Sequence, residues 1–424
     1  MTSSLGPSLE ARRARWAVSA IFLLNGITFC SVLPRYPEIV RRLDISNVEF
    51  GAAVAVGPVG GLIAGLGAVW VMRRFGSGLT AVIFQIMACV FHLLIYTSSS
   101  WAMLALGFFL AFSADAITDI AQNAHGMRVE RRYRRSVMNS YHGFWSLGAV
   151  LGGIIGALCA QWHVPMLTQG VASLVVFGAA AIVTSRFLLP GSDSAERAAQ
   201  QAETAMAGPS PASANTAPTP TEPASIPRAG LRAWGLLVAL GMLLVFAGST
   251  EDAGNTWGAL FMTSTFNAIP FVAGLAFVAL QGTQMVARFL GDRIVDAWGD
   301  RTTARVGALI SAVGMSIAML VPSPVTAILG FAAAGWGVAT LFPAAFRAGD
   351  DLPGLPEGVG ITFVGWFSRI GFFVAPPVVG ALADAFTLRY ALWLMPLYAV
   401  GIFLFSGALG TETKADRARA TETR

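Results

Sequence analysis

Long apolar runs alternate with short arginine-bearing segments along almost the whole chain. The runs fall near 16–36, 48–72, 79–97, 101–126, 137–159, 164–188, 232–254, 268–290, 303–321, 324–346, 359–383 and 390–409. Each is close to the roughly 20 residues that a helix needs to cross a bilayer. The pattern predicts about a dozen spanning helices and an all-α integral membrane protein. Glycines at four-residue spacing mark two of the runs: Gly57, Gly61 and Gly65, then Gly148, Gly152 and Gly156. Such stripes let helix backbones approach closely. They suit either a sliding seam or ordinary packing.

One stretch breaks the pattern. Residues 190–230 centre on "GPSPASANTAPTPTEPASIP", where Ile226 is the single large apolar residue. Such a segment cannot bury enough surface to fold and is expected to be a disordered linker. It divides the chain into 1–189 and 231–424, with six predicted spans on each side.

Composition agrees. The 424 residues are 55% hydrophobic and 12% charged, against about 25% charged in soluble domains. The net charge of +5 does not point to nucleic acid, because the arginines cluster between apolar runs. That is the positive-inside pattern. It puts Arg12, Arg13, Arg15, Arg73, Arg74, the 128–135 and 288–305 groups, Arg347 and the C-terminal cluster on the cytoplasmic side. Both termini are therefore expected in the cytoplasm, with the chain in the cytoplasmic membrane. The first run is long enough to span and shows no cleavage site, so no cleavable leader is expected. Cys30, Cys89 and Cys159 lie in apolar runs without ligand spacing and read as inert small hydrophobes. No metal, cofactor or nucleophile motif is present, so the chain does not read as an enzyme.

The polar residues inside the apolar runs carry the chemistry. Asp115 and Asp119 share one helix face with Gln122 and Asn123. Carboxylates at membrane depth face protein or a water-filled cavity. Two on one face repel each other when both are charged, which suits proton uptake and release. Asp119 could instead tie its helix to the arginine-rich 128–135 loop. Glu251 and Asp252 are expected at the outer end of the seventh span, flanked by Gly248 and Gly254, where the helix could unwind. His142 could titrate and pair with Asp119; His92 reads as a packing residue. Arg369 lies about 14 Å into the eleventh span. A guanidinium keeps its proton, so it needs a carboxylate partner or an anionic or polyol ligand. Thr362 and Trp366 share its face. Gln281, Gln284 and Arg288 form a polar stripe. Asn25 and Thr28 form another, and Tyr141 and Trp145 lie beside His142. Asn25, Thr28, Tyr141, Trp145, Gln281, Gln284, Trp366 and Arg369 are the solute-binding candidates.

Four stretches carry a resemblance: "LPRYPEIVRRLDIS", "DIAQNAHGMRVERRYRRSVMNSYHGFWSLG", "EDAGNTWGALFM" and "RFLGDRIVDAWGD". With the two six-span halves, they make the chain resemble a major facilitator superfamily permease, in a bacterial branch near the fucose-permease-like proteins. The resemblance implies alternating access about a midplane site. It also implies a cytoplasmic gate loop between spans 8 and 9, at Gly291, Asp292, Arg293, Asp296 and Gly299. In the matching loop between spans 2 and 3, Arg73 stands where an acid is expected. The function so implied is secondary transport of a small polar or amphiphilic solute, coupled to protons, by a monomer in the bilayer. The rival readings are a proton-driven exporter of drug-like compounds and a transporter-fold sensor without flux.

Overall fold

The computed structural model describes residues 8–133, 137–191, 230–352, 354–356 and 358–411. The expected linker at 190–230 lies almost wholly outside them, as do Arg134, Arg135 and the side chain of Asp292.

Among the described residues, twelve helices are long and apolar enough to cross a membrane. Six precede the 192–229 stretch. α1 is Leu9–Leu43, broken near Ser31; α2 is Asn47–Phe75, α3 Ser77–Tyr96 and α4 Trp101–Tyr133. α5 is Ser140–Gln161 and α6 Met166–Ser185. Six follow it. α7 is Leu231–Phe266. Helical backbone over Pro270–Leu320 is interrupted at Gly299, giving α8 before that glycine and α9 after it. α10 is Pro324–Asp350, α11 Val359–Ala385 and α12 Leu388–Ala408. The outer surface fits lipid: Leu66, Trp70, Leu309, Leu329, Leu397 and Leu404 are all exposed, far more apolar surface than a soluble monomer shows.

Local signals set the helix ends. Ser46 and Glu49 form a capping box that starts α2, and Ser323 with Thr326 does the same for α10. α2 ends at Gly76, with φ 78 and ψ 158. α8 ends at Gly299 in almost the same conformation, φ 75 and ψ 161. That left-handed region favours glycine. The α2–α3 and α8–α9 turns are thus equivalent in the two halves, although Arg73 and Asp296 stand three residues before the two glycines. Asp300 pairs with Arg347 of α10 at 3.0 Å, and Arg301 reaches the carbonyls of Gly407 and Leu409. These contacts hold one half together.

One expectation needs correction, and one open alternative is decided. α7 does not stop near 254 but runs unbroken to Phe266. Glu251 and Asp252 therefore lie mid-helix and buried, and Gly248 and Gly254 leave the helix wound. The glycines there serve packing: Gly248 faces Phe372, and Gly254 faces Leu280. Of the two readings of the glycine stripes, a sliding seam or ordinary packing, the contacts are those of packing. Gly57 and Gly61 pack on Phe112 of α4 and Gly65 lies near Ile120 of the same helix, while Gly148, Gly152 and Gly156 pack on the backbone of Leu23, Ile27 and Ser31 of α1. Each contact lies within one half. The seam uses other positions: Gly51 on Pro376, Gly153 on Phe277, Gly274 on Ala157 and Gly143 on Phe289.

Candidate functional site

The two halves meet tightly at one face of the bundle; toward the other, α5 and α8 stay in contact, with Gly143 on Phe289, while α2 and α11 part. The closed face is the one away from the arginine-rich helix ends. There Trp257 of α7 is fully buried and meets Phe50 of α2 edge-on, with ring centroids 5.7 Å apart. Phe50 in turn meets Tyr36 at 5.0 Å. The amide of Phe271 donates to Gln161 at 3.2 Å. Asp384 of α11 accepts from Asn47 and Val48 at the start of α2. Farther along the same two helices the contacts stop. Val69, five turns on from Gly51 and on the same face of α2, is exposed, and Thr362, Trp366 and Arg369 of α11 are exposed. The result is a cleft open to the arginine-rich face and sealed at the other.

The N-terminal wall of the cleft carries the aspartates. Trp145 of α5 donates its indole N–H to Asn25 Oδ1 at 2.7 Å, and Asn25 Nδ2 donates to Asp115 Oδ1 at 2.8 Å. An indole N–H only donates, so this chain fixes which way the Asn25 amide points. It ties α5, α1 and α4 together at one point. Asp115 is thus partnered by an amide from another helix. Asp119, one turn on, is exposed. Its Oδ1 accepts from Asn123 Nδ2 at 2.9 Å and Gln122 Nε2 at 3.2 Å. Both donors lie on its own helix, and both use the same oxygen. His142 is also exposed, and stands within electrostatic range of Asp119 and of Arg288. It is not hydrogen-bonded to Asp119.

The C-terminal wall carries a ladder between α7 and α8. Gln284 Nε2 donates to Glu251 Oε2 at 3.0 Å, and Gln281 Nε2 donates to Asn255 Oδ1 at 3.0 Å. Donors three apart on α8 meet acceptors four apart on α7, which the helix periods allow. Asp252 accepts from Thr256 at 3.2 Å, while its second oxygen has no partner. Beyond the ladder, Arg288 reaches Ser146 of the other half at 3.4 Å. Arg369 makes no hydrogen bond or ion pair among the described residues. Its direction follows from α11: Pro376 and Gly380, seven and eleven residues on, share its face and touch α2. Arg369 therefore points across the cleft, and Asp119 lies within its electrostatic range.

The remaining sequence candidates fall elsewhere. Tyr141 is fully buried and stacks on Phe22, 5.5 Å between centroids. Thr28 is buried against α3, where Gln85 donates to it at 3.0 Å. His92 bonds the carbonyl of Ala88 and packs on Phe29, as a packing residue does. Gly291 packs near Thr340, Arg293 is exposed and Asp296 is engaged. The cleft thus gathers Asp119, His142, Arg288, Arg369, Trp145 and Trp366. The Asp384–Asn47 contact was not foreseen. Its partners are 337 residues apart, and an acid at a helix end reads as solvated.

A family model described as Major Facilitator Superfamily matches residues 18–251 and 242–424. The uncharacterized transporter y4wD of Sinorhizobium fredii is 25% identical, over 92% of this chain and 97% of its own. The crystal structure of the nucleoside transporter NupG superposes with a TM-score of 0.67 at 12% identity, covering 95% of this chain and 99% of its own. That of FucP in its outward conformation gives 0.56 at 15% identity, covering 93% and 97%.

Proposed function

Since the chain belongs to the Major Facilitator Superfamily, and so is a multi-pass membrane transporter, we propose that it moves a small polar solute across the cytoplasmic membrane by proton-coupled alternating access. The arginine-rich face is the cytoplasmic one, so the cleft described above is the inward-open state. One observation carries this reading: charged groups at membrane depth line a cleft between halves that is sealed at one end only. A scaffold without flux has no use for solvated charge there, because such groups are costly in a bilayer.

The division of labour follows the bonding. Asp119 faces the cleft and keeps one carboxylate oxygen free, so it can take and release a proton as water reaches it. Asp115, braced by Asn25, is the next acceptor inward. Glu251, Asp252 and Gln284 bind the C-terminal half into a polar but packed wall. Transport then consists of parting the Trp257–Phe50 and Asp384–Asn47 contacts while the cytoplasmic ends close. The charged lining weighs against an exporter of drug-like compounds, whose cavity would be apolar and aromatic.

Proteoliposomes holding a trapped pH dye test the coupling. Adding a transported solute should drive proton movement. A flux of solute with no dye response would remove proton coupling and leave the transporter. Ligand binding with no flux of any solute would favour a sensor.

A further inference from the structure

We propose that the solute is a small organic anion, held through its carboxylate by Arg369 with Arg288 as the second cation. The inference rests on the transporter reading and names the substrate class of the same cleft.

Three observations carry it. First, both guanidiniums lie in the C-terminal wall, and among the described residues neither has a carboxylate within 4 Å. Arg288 has only the Ser146 hydroxyl, at 3.4 Å. A guanidinium does not shed its proton, so each holds a full charge at membrane depth. Second, the nearby acids are hydrogen-bonded to uncharged partners, and among the described residues none closes a salt bridge to either arginine. Asp119 is held by Gln122 and Asn123 of its own helix, Asp115 by Asn25, Glu251 by Gln284 and Asp252 by Thr256. The wall therefore offers the cleft two cations without a salt bridge, each on a planar group rich in donors. Third, the direction is right. Arg369 points at the opposite wall and is exposed, with its fork free for two parallel bonds to one carboxylate. Trp366, one turn away, can cover the carbon chain of such a solute.

The opposite wall completes the assignment. Asp119 would repel a bound anion while charged. Taking up a proton on Asp119, which His142 and Arg369 face, removes that repulsion, so anion and proton enter the cleft together. A neutral polyol would gain no such link to protonation and would leave both arginines without a salt-bridge partner.

The test uses the purified full-length chain and matched pairs that differ at one carbon: gluconate and glucitol, glycerate and glycerol, 4-hydroxybutyrate and butane-1,4-diol. Thermal unfolding and tryptophan fluorescence are read at constant ionic strength with chloride as the balancing ion. At least one acid should raise the unfolding midpoint in a saturable way while its alcohol does not. Arg369→Lys keeps the charge but loses the fork, and should weaken that binding about tenfold or more. Arg369→Ala should abolish it, and Arg288→Lys should weaken it less. Because Arg369 makes no internal bond, its variants should unfold at the wild-type midpoint without ligand. Alcohols that protect as well as acids, no response to any acid of the set, or unchanged acid binding in Arg369→Ala would each overturn the proposal. Proton-coupled flux of a neutral solute would overturn the anion alone and leave the transporter reading standing.

Discussion

The carboxylate of Asp384, at the end of α11, caps the first turn of α2. Its Oδ1 accepts from the backbone N–H and the side-chain amide of Asn47 at 3.0 and 2.8 Å, and its Oδ2 from the backbone N–H of Val48 at 2.8 Å. A helix start has unpaired N–H groups and a partial positive charge, and an anion satisfies both. Here the cap comes from the opposite half of the molecule, so it exists only while this face is closed. Loss of a cap costs about 0.5–2 kcal/mol. Asp384→Ala should therefore favour opening at this face by roughly 2- to 30-fold. Spin labels at Ser99 and Phe386, both exposed on that face, would report it as a larger population at long distance. An unchanged distance distribution would show that the apolar contacts alone hold the face shut.

Coupling gives the second prediction. Asp119→Asn keeps the shape and the neighbours but cannot exchange a proton. Uphill accumulation driven by a pH gradient should be lost, while exchange of labelled for unlabelled solute continues. Asp115→Asn, next to an asparagine that already donates to it, should fold normally and be impaired in the same sense. If Asp119→Asn still accumulates solute against a gradient, the proton travels by another group.

The positions of the spans were legible because lipid demands long apolar runs, and Asp119 and Arg369 were legible because charge is costly there. The extent of α4 and α7 was less so. Glu251 and Asp252 lower the local hydropathy and suggest an end, yet backbone bonding continues through them to Phe266. The glycine stripes announced close approach without naming the partner. Spacing is a property of one helix, and the choice between α1 and the other half is made by the whole bundle. Tyr141 and Trp145 sit four apart, and the sequence treats them alike. Only packing sends Tyr141 onto Phe22 and Trp145 to Asn25.

Those glycines supply a third prediction. A methyl at Gly148 or Gly152 would run into the backbone of α1, which cannot yield as a side chain does. Overpacking costs about 1–3 kcal/mol, so Gly148→Ala should melt early and give poor yields. Gly67→Ala, with nothing within 4 Å, should match wild type. Equal stability of the two variants would contradict the intimate α1–α5 contact.

The Trp145–Asn25–Asp115 chain gives the fourth. Trp145→Phe keeps an aromatic ring but removes the N–H, leaving Asn25 Oδ1 without its donor. A buried acceptor so stranded costs about 1–3 kcal/mol, and the amide is then free to rotate. Once rotated, it would turn its oxygen toward Asp115 and favour the protonated acid. The variant should be modestly less stable and should shift the pH profile of transport toward higher pH. Asn25→Ala removes the Asp115 donor altogether and should shift it in the same direction, with a larger stability loss. A Trp145→Phe protein with the wild-type pH profile would mean that Asp115 takes no part in the coupling.

The last prediction concerns orientation. Arginines crowd one face: Arg12, Arg13, Arg15, Arg73, Arg74, Arg131 and Arg132 from the first half, then Arg293, Arg301, Arg305 and Arg347 from the second. The other face keeps Arg35, Arg41, Arg42 and Arg389. Of these Arg35 is buried, bonded to Gln169, Glu38 and the carbonyl of Val164. Arg42 holds the carbonyl of Tyr96, and Arg389 that of Met319. Most positive charge on that face is thus engaged in tying loops to helix ends. Short loops with the excess of arginine stay in the cytoplasm. A cysteine at Ser99, in a background without Cys30, Cys89 and Cys159, should react with an impermeant maleimide in intact cells. A cysteine at Thr411, an exposed position after α12, should react only once the cells are opened. The reverse pattern would turn the molecule over, and the cleft with Arg369 and Asp119 would then face outward.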